Sequence, residues 1–116
     1  MYFINRAAII LRHKQAFVDW LDSTPGPPDY ITLKGIHEHG DHVVNLIPQT
    51  KTEEEFEEIL RDMAPGMLAA ELAYFCDDED AWPEKLDVAT LREFFDVMTE
   101  SCVVDTVPGP LKRERM

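Results

Sequence analysis

YFINRAAIILRHKQAFVDWLD, residues 2–22, sets the class of fold because the spacing of its apolar residues changes half-way. Residues 2–11 are rich in β-branched and aromatic side chains and become apolar on both alternating faces, as in an inner strand of a sheet. Over residues 14–22, Phe17, Val18, Trp20 and Leu21 recur on one side of a helix. The pattern predicts a strand followed directly by a helix.

The loop Ser-Thr-Pro-Gly-Pro-Pro-Asp at residues 23–29 ends that helix. A short apolar piece, residues 30–33, and a polar, histidine-rich connector follow. Residues 42–48, His-Val-Val-Asn-Leu-Ile-Pro, are typical of a second strand that its proline closes.

The clearest helix start is Thr52-Glu53-Glu54-Glu55, a capping box in which the Thr52 hydroxyl accepts from the amide of Glu55 and the Glu55 carboxylate returns to the amide of Thr52. Pro65-Gly66 is expected to break or kink this helix, which resumes over residues 67–75. Asp87 is expected to cap a last short helix. Residues 97–107 then form a strand in which Cys102 is predicted to be a core residue.

These elements predict an α+β domain over residues 1–107, with the order β-α-β-α-α-α-β. Its small sheet of three to four strands carries helices mainly on one face, with the first and last strands as neighbours. Residues 108–116 are predicted to form a flexible basic tail, carrying three bases and one acid.

The formal charge of −12 is concentrated in one part of the chain. Residues 1–51 hold five acids and five bases, whereas residues 52–105 hold seventeen acids and three bases. Such a surface repels nucleic-acid phosphates and anionic lipid headgroups, so neither nucleic acid nor a membrane is an expected partner. Basic partners, divalent cations or simple solubility remain open.

The two cysteines, Cys76 and Cys102, do not form a disulfide framework, and residues 7–11 are too short an apolar run for a signal peptide. These features predict a cytoplasmic protein.

The segment His37-Glu38-His39-Gly40-Asp41-His42 is similar to the H-x-H-x-D-H pattern of the metallo-β-lactamase superfamily. Imidazoles at i and i+2 of an extended segment project to the same side and can bind one zinc ion, which activates water for hydrolysis. The similarity implies that His37 and His39 bind a first zinc, and that Asp41 and His42 bind a second. The chain has no histidine after His42 and is shorter than that fold, so we interpret the match as local and coincidental. Zinc binding by these four residues stays open beside a solvated polar connector.

A second resemblance covers most of residues 4–105. Lys14-Gln15-Ala16-Phe17-Val18-Asp19-Trp20-Leu21, Phe56-Glu57-Glu58-Ile59-Leu60 and Trp82-Pro83 before Phe94-Phe95 resemble a family of short bacterial proteins of unknown function. The shared motifs are structural, so the resemblance implies no activity, cofactor or catalytic residue.

The sequence therefore favours a binding or oligomerising protein without a recognisable catalytic site, acting as a homodimer or with a protein partner. The alternative is zinc binding or metal-dependent hydrolysis at His37–His42. A third hypothesis, mimicry of nucleic acid, rests on the acidity of residues 52–105 alone. Trp82, which precedes Pro83, is predicted to be a core anchor or an anchor at the rim of a pocket or interface.

Overall fold

The predicted first strand, residues 2–11, is divided into two strands, and the second of them is the central strand of the sheet. In a computed structural model that describes residues 1–26, 31–40 and 42–116, strand β1 is Tyr2–Phe3 and strand β2 is Arg6–His13. Strands β3 (Val44–Pro48) and β4 (Phe95–Glu100) both pair antiparallel with β2, in the order β3-β2-β4. The expected pairing of the first and last main strands is confirmed.

Helices cover one face of this sheet, as the α+β prediction required. Helix α1 is Gln15–Ser23, α2 is Leu33–His39, α3 is Glu53–Phe75 and α4 is Val88–Phe94. The buried core lies between them and the inward side chains of the strands, which include Ile9, Leu11 and Ile47. Burial of this apolar surface is the main favourable term in folding.

Both predicted helix caps are present, with one change of partner. The Thr52 hydroxyl accepts from the amide of Glu55 at 3.1 Å, and the Asp87 carboxylate accepts from the amide of Thr90 at 2.9 Å. The Glu55 carboxylate, however, accepts from the amide of Lys51 at 2.9 Å and not from that of Thr52.

The expected break at Pro65-Gly66 is wrong, because α3 is one helix of 23 residues. Pro65 removes one backbone donor, but it lies on the exposed side of the helix. Leu60 and Ala64 before it, and Leu68 and Leu72 after it, are all completely buried. Packing of these residues on both sides outweighs the local cost of the proline.

Two further expectations differ from the structure. The connector after residue 32 is a short helix, α2, and the predicted strand 97–107 is divided into β4 and a separate strand β5, Val104–Asp105. Cys102 lies between β4 and β5 and is exposed, so its prediction as a core residue is wrong. No helix in the described ranges has the length and apolar character needed to cross a membrane.

Candidate functional site

The predicted metal ligands His37 and His39 lie on a helix and not on an extended segment. Helix α2 begins after Thr32, whose hydroxyl accepts from the amide of Gly35 at 3.0 Å, and it ends at His39. Residues i and i+2 of an α-helix are about 200° apart around the axis. The geometry that would direct both imidazoles at one zinc ion is therefore absent from this segment.

His37 uses both of its ring nitrogens in hydrogen bonds. Its Nε2 lies 2.8 Å from the backbone oxygen of His13, and its Nδ1 lies 3.1 Å from Nη2 of Arg12. A guanidinium only donates and a carbonyl only accepts, so Nδ1 is the acceptor and Nε2 carries the proton. His37 thus connects α2 to the end of β2 through two hydrogen bonds. A metal ion could bind His37 only by displacing one of these hydrogen bonds.

His39 and His42 are both exposed. Nε2 of His39 lies 3.7 Å from Oε2 of Glu38. The ring of His42 is centred 6.0 Å from the ring of His13. Asp41 lies outside the described residues. Among the residues that the structure describes, no three histidine, cysteine, aspartate or glutamate side chains are arranged to hold a metal ion. Zinc binding by His37, His39, Asp41 and His42 stays a prediction.

His13 differs from the other three histidines because it is buried. It follows Ile9 and Leu11 on the inward face of β2 and is 2% exposed. The rings of Phe17 and Phe95 are each centred 4.9 Å from its own ring. Sequence reasoning did not select it, although the alternation of residues 9, 11 and 13 places it on the buried side of the strand.

Glu71 on α3 reaches this imidazole from the helical layer. Its Oε2 lies 3.3 Å from Nε2 of His13, and the residue is 8% exposed. The two atoms are close enough for a hydrogen bond but are not aligned for one, and neither ring nitrogen of His13 has a partner in the described part of the chain. The burial of this pair closes it to a substrate, so we interpret it as a structural contact.

The surface that stands out is the outer face of the sheet, which consists of Arg6, Ala8, Ile10 and Arg12 on β2, Val44, Leu46 and Pro48 on β3, and Asp96, Met98 and Glu100 on β4. Strand alternation turns these side chains away from the core between the sheet and the helices. The long side chain of Arg12 nevertheless reaches His37 on α2, at 3.1 Å. In the register, Ile10 lies between Val44 and Met98, and Ala8 lies between Leu46 and Glu100. Val44, Leu46 and Met98 are 56%, 48% and 45% exposed. The centre of the outer face is thus apolar. Its side chains on the two flanking strands are exposed, whereas Ala8 on the central strand is only 5% exposed.

A separate two-stranded β-ribbon consists of Tyr2–Phe3 paired antiparallel with Val104–Asp105. The amide of Ile4 donates to the backbone oxygen of Val103 at 3.0 Å, so the segment that leads into β2 and the segment that follows β4 remain side by side. Tyr2 and Phe3 are among the most exposed apolar residues of the chain. A two-stranded ribbon is only marginally stable alone, and this one has little apolar cover within its own chain.

Comparisons with protein-family models, curated proteins and solved structures gave no match. The resemblance to short bacterial proteins accordingly stays a prediction.

Proposed function

We propose that this chain acts by binding, as a homodimer that joins the outer faces and β-ribbons of two copies. The observation that carries the proposal is the apolar centre of the outer face. A sheet covered by helices on one side normally exposes polar residues on the other. Here Val44, Leu46, Ile10 and Met98 occupy adjacent positions there, a pattern typical of interaction surfaces.

Charge favours a second copy over a basic partner at this surface. The outer face carries Arg6 and Arg12 against Asp96 and Glu100, so its formal charge is zero, whereas the whole chain carries −12. Two copies repel one another through most of their acidic surface. That repulsion is weakest where the facing surfaces are neutral.

The size of the outer face explains why the β-ribbon belongs to the proposal. Three strands about 4.8 Å apart and five residue rows about 3.4 Å apart give a footprint of roughly 240 Å². A standard interface needs about 800 Å² from each partner. The ribbon adds exposed apolar side chains, with Phe3 directly opposite Val104 on one of its faces and Tyr2 on the other. The outer face is too small alone, so the proposed dimer includes contact through the ribbon.

The test is the mass of the protein in solution, measured by sedimentation equilibrium between micromolar and millimolar concentrations. The expected species has twice the 13.4 kDa of the chain. Leu46→Glu should yield a monomer, because twofold symmetry places two new carboxylates in one apolar interface. Burying each carboxylate costs about 1.5 kcal/mol or more, so the dissociation constant of the dimer should rise by at least roughly 100-fold.

Tyr74→Glu is the matched control, since Tyr74 is an exposed apolar residue on α3 and the substitution changes the charge equally. It should remain dimeric. Phe3→Ser should weaken the dimer through the ribbon alone. A monomeric wild-type protein over the whole concentration range would overturn the proposal, as would a Leu46→Glu variant that stays dimeric.

A further inference from the structure

A second surface lies on the helical side of the molecule, away from the outer face. It is an open groove of about 610 Å³ between α1, α4 and the turn that holds Trp82, and we call it the tryptophan groove. Helix α1 lines it with Ala16, Asp19 and Trp20, and α4 lines it with Thr90, Glu93 and Phe94. Each set has the i, i+3, i+4 spacing of one helix face, so both helices present a continuous stripe to the groove.

Both indoles are held in place by the protein. Nε1 of Trp20 donates to the backbone oxygen of Ala81 at 3.1 Å, and Nε1 of Trp82 donates to that of Cys76 at 2.9 Å. The first bond joins α1 to residues 76–82, and the second lies within that segment. Because the indole donors are already used, the rings offer a ligand only their π surfaces and apolar edges.

The charged groups of the groove are all of one sign. Asp19 and Glu93 are exposed, and within the described ranges neither forms an ion pair. The side-chain amide of Gln15 donates to Asp19 at 3.0 Å, which leaves the charge of that carboxylate uncompensated. No lysine or arginine is among the lining residues. The groove thus combines aromatic surface with two negative charges.

We infer that the tryptophan groove binds an arginine side chain from an exposed basic segment of a protein partner. A guanidinium stacks on an indole face and bonds a carboxylate through its planar set of N–H donors. An ammonium ion makes point contacts and is more strongly hydrated, so lysine fits the flat aromatic surface less well. Acids at residues 77–80, next to the groove, add attraction for a basic segment.

The inference is independent of dimerisation, because α1 and α4 pack on the opposite side of the sheet from the outer face. The chain has two tryptophans, both in the groove, so their indole N–H resonances in an NMR titration report on this site directly. The probe is a synthetic peptide of alternating glycine and arginine. Its control carries citrulline, the uncharged analogue of arginine, at every arginine position.

Both indole resonances should move and saturate with the arginine peptide, and binding of the citrulline peptide should be weaker by about tenfold or more. The double variant Asp19→Asn/Glu93→Gln should bind the arginine peptide roughly tenfold more weakly than the wild type does. The control is the double variant Glu54→Gln/Asp62→Asn, which removes the same charge from exposed positions on α3 outside the groove. Its affinity for the arginine peptide should fall less than twofold.

Equal weakening in the two double variants would show that only net charge attracts the peptide, and it would overturn the inference. Equal affinity for the arginine and citrulline peptides would overturn it as well, as would indole resonances that do not move. Saturation with the expected ranking would establish the groove as an arginine site, whatever the oligomeric state.

Discussion

The buried contact between His13 and Glu71 should appear as strong non-additivity when both residues are replaced. Glu71 is 8% exposed, and His13→Leu removes the imidazole beside its carboxyl group. Leaving a buried polar group without its partner costs about 1–3 kcal/mol, and more for a charged group. We expect a loss of about 3 kcal/mol, because water reaches only a small part of Glu71.

Glu71→Leu should lower the free energy of unfolding less, since an imidazole has a neutral form that can remain buried. Its ring nitrogens already lack hydrogen-bond partners in the described structure, so we expect a loss of about 1 kcal/mol. The double variant fills the space between Phe17 and Phe95 with apolar side chains and should lie within about 1 kcal/mol of the wild type. The cycle therefore predicts a coupling energy of at least about 3 kcal/mol.

Urea unfolding at pH 7, followed by circular dichroism, measures the four free energies of unfolding, and equal m-values confirm a common unfolded state. His42→Leu is the control, because its ring neighbours that of His13 at 6.0 Å but is exposed, and it should change stability by less than about 0.5 kcal/mol. Single effects that add within about 0.5 kcal/mol would refute the coupling.

Three further predictions test other parts of the molecule. Gly66→Ala should stabilise the protein by about 1 kcal/mol, or roughly 4 °C in a thermal melt, because a Cβ there meets nothing within 4 Å; a lower Tm would contradict this. Nη2 of Arg92 lies 2.6 Å from Oε1 of Glu57, and the hydrogen bond that Arg92 donates lowers the pKa of the Glu57 carboxyl. Glu57→Gln should therefore cost about 0.5 kcal/mol at pH 7, and the difference should disappear in urea titrations as the pH falls through the lowered pKa of folded Glu57; a deficit that persists in acid would exclude this cause. Stoichiometric zinc should leave Tm unchanged, because His37 uses both ring nitrogens; a rise that is lost in His39→Ala would establish the metal site instead.

Local signals predicted the features that depend on neighbouring residues. Thr52 and Asp87 form caps because their side chains need only an amide three residues away. The alternation of residues 2–11 reflects a strand with neighbours on both sides, and β2 is that strand. The α+β class followed from these local features and needed no knowledge of distant contacts.

The errors arise where distant contacts decide the structure. Pro65 disfavours a helix locally, but the buried side chains on either side of it hold α3 together. Helix α2 is short, contains Gly35 and buries only Ile36, so its hydrophobic period is too weak to recognise. Its bonds to β2 through His37 stabilise it, and no sequence spacing reveals them.

The histidines show the same distinction between a motif and its geometry. The spacing of His37 and His39 indicates a shared metal ion only if the segment is extended, and the α2 helix removes that condition. His13 belongs to no motif and lies two residues beyond the predicted strand 2–11, but β2 extends to it and places it on the same side as Ile9 and Leu11. A buried imidazole needs a polar neighbour, and the long helix α3 supplies Glu71. The inward position of His13 depends on β2 continuing past the predicted end of the strand, and its neighbour Glu71 depends on α3 continuing unbroken past Pro65.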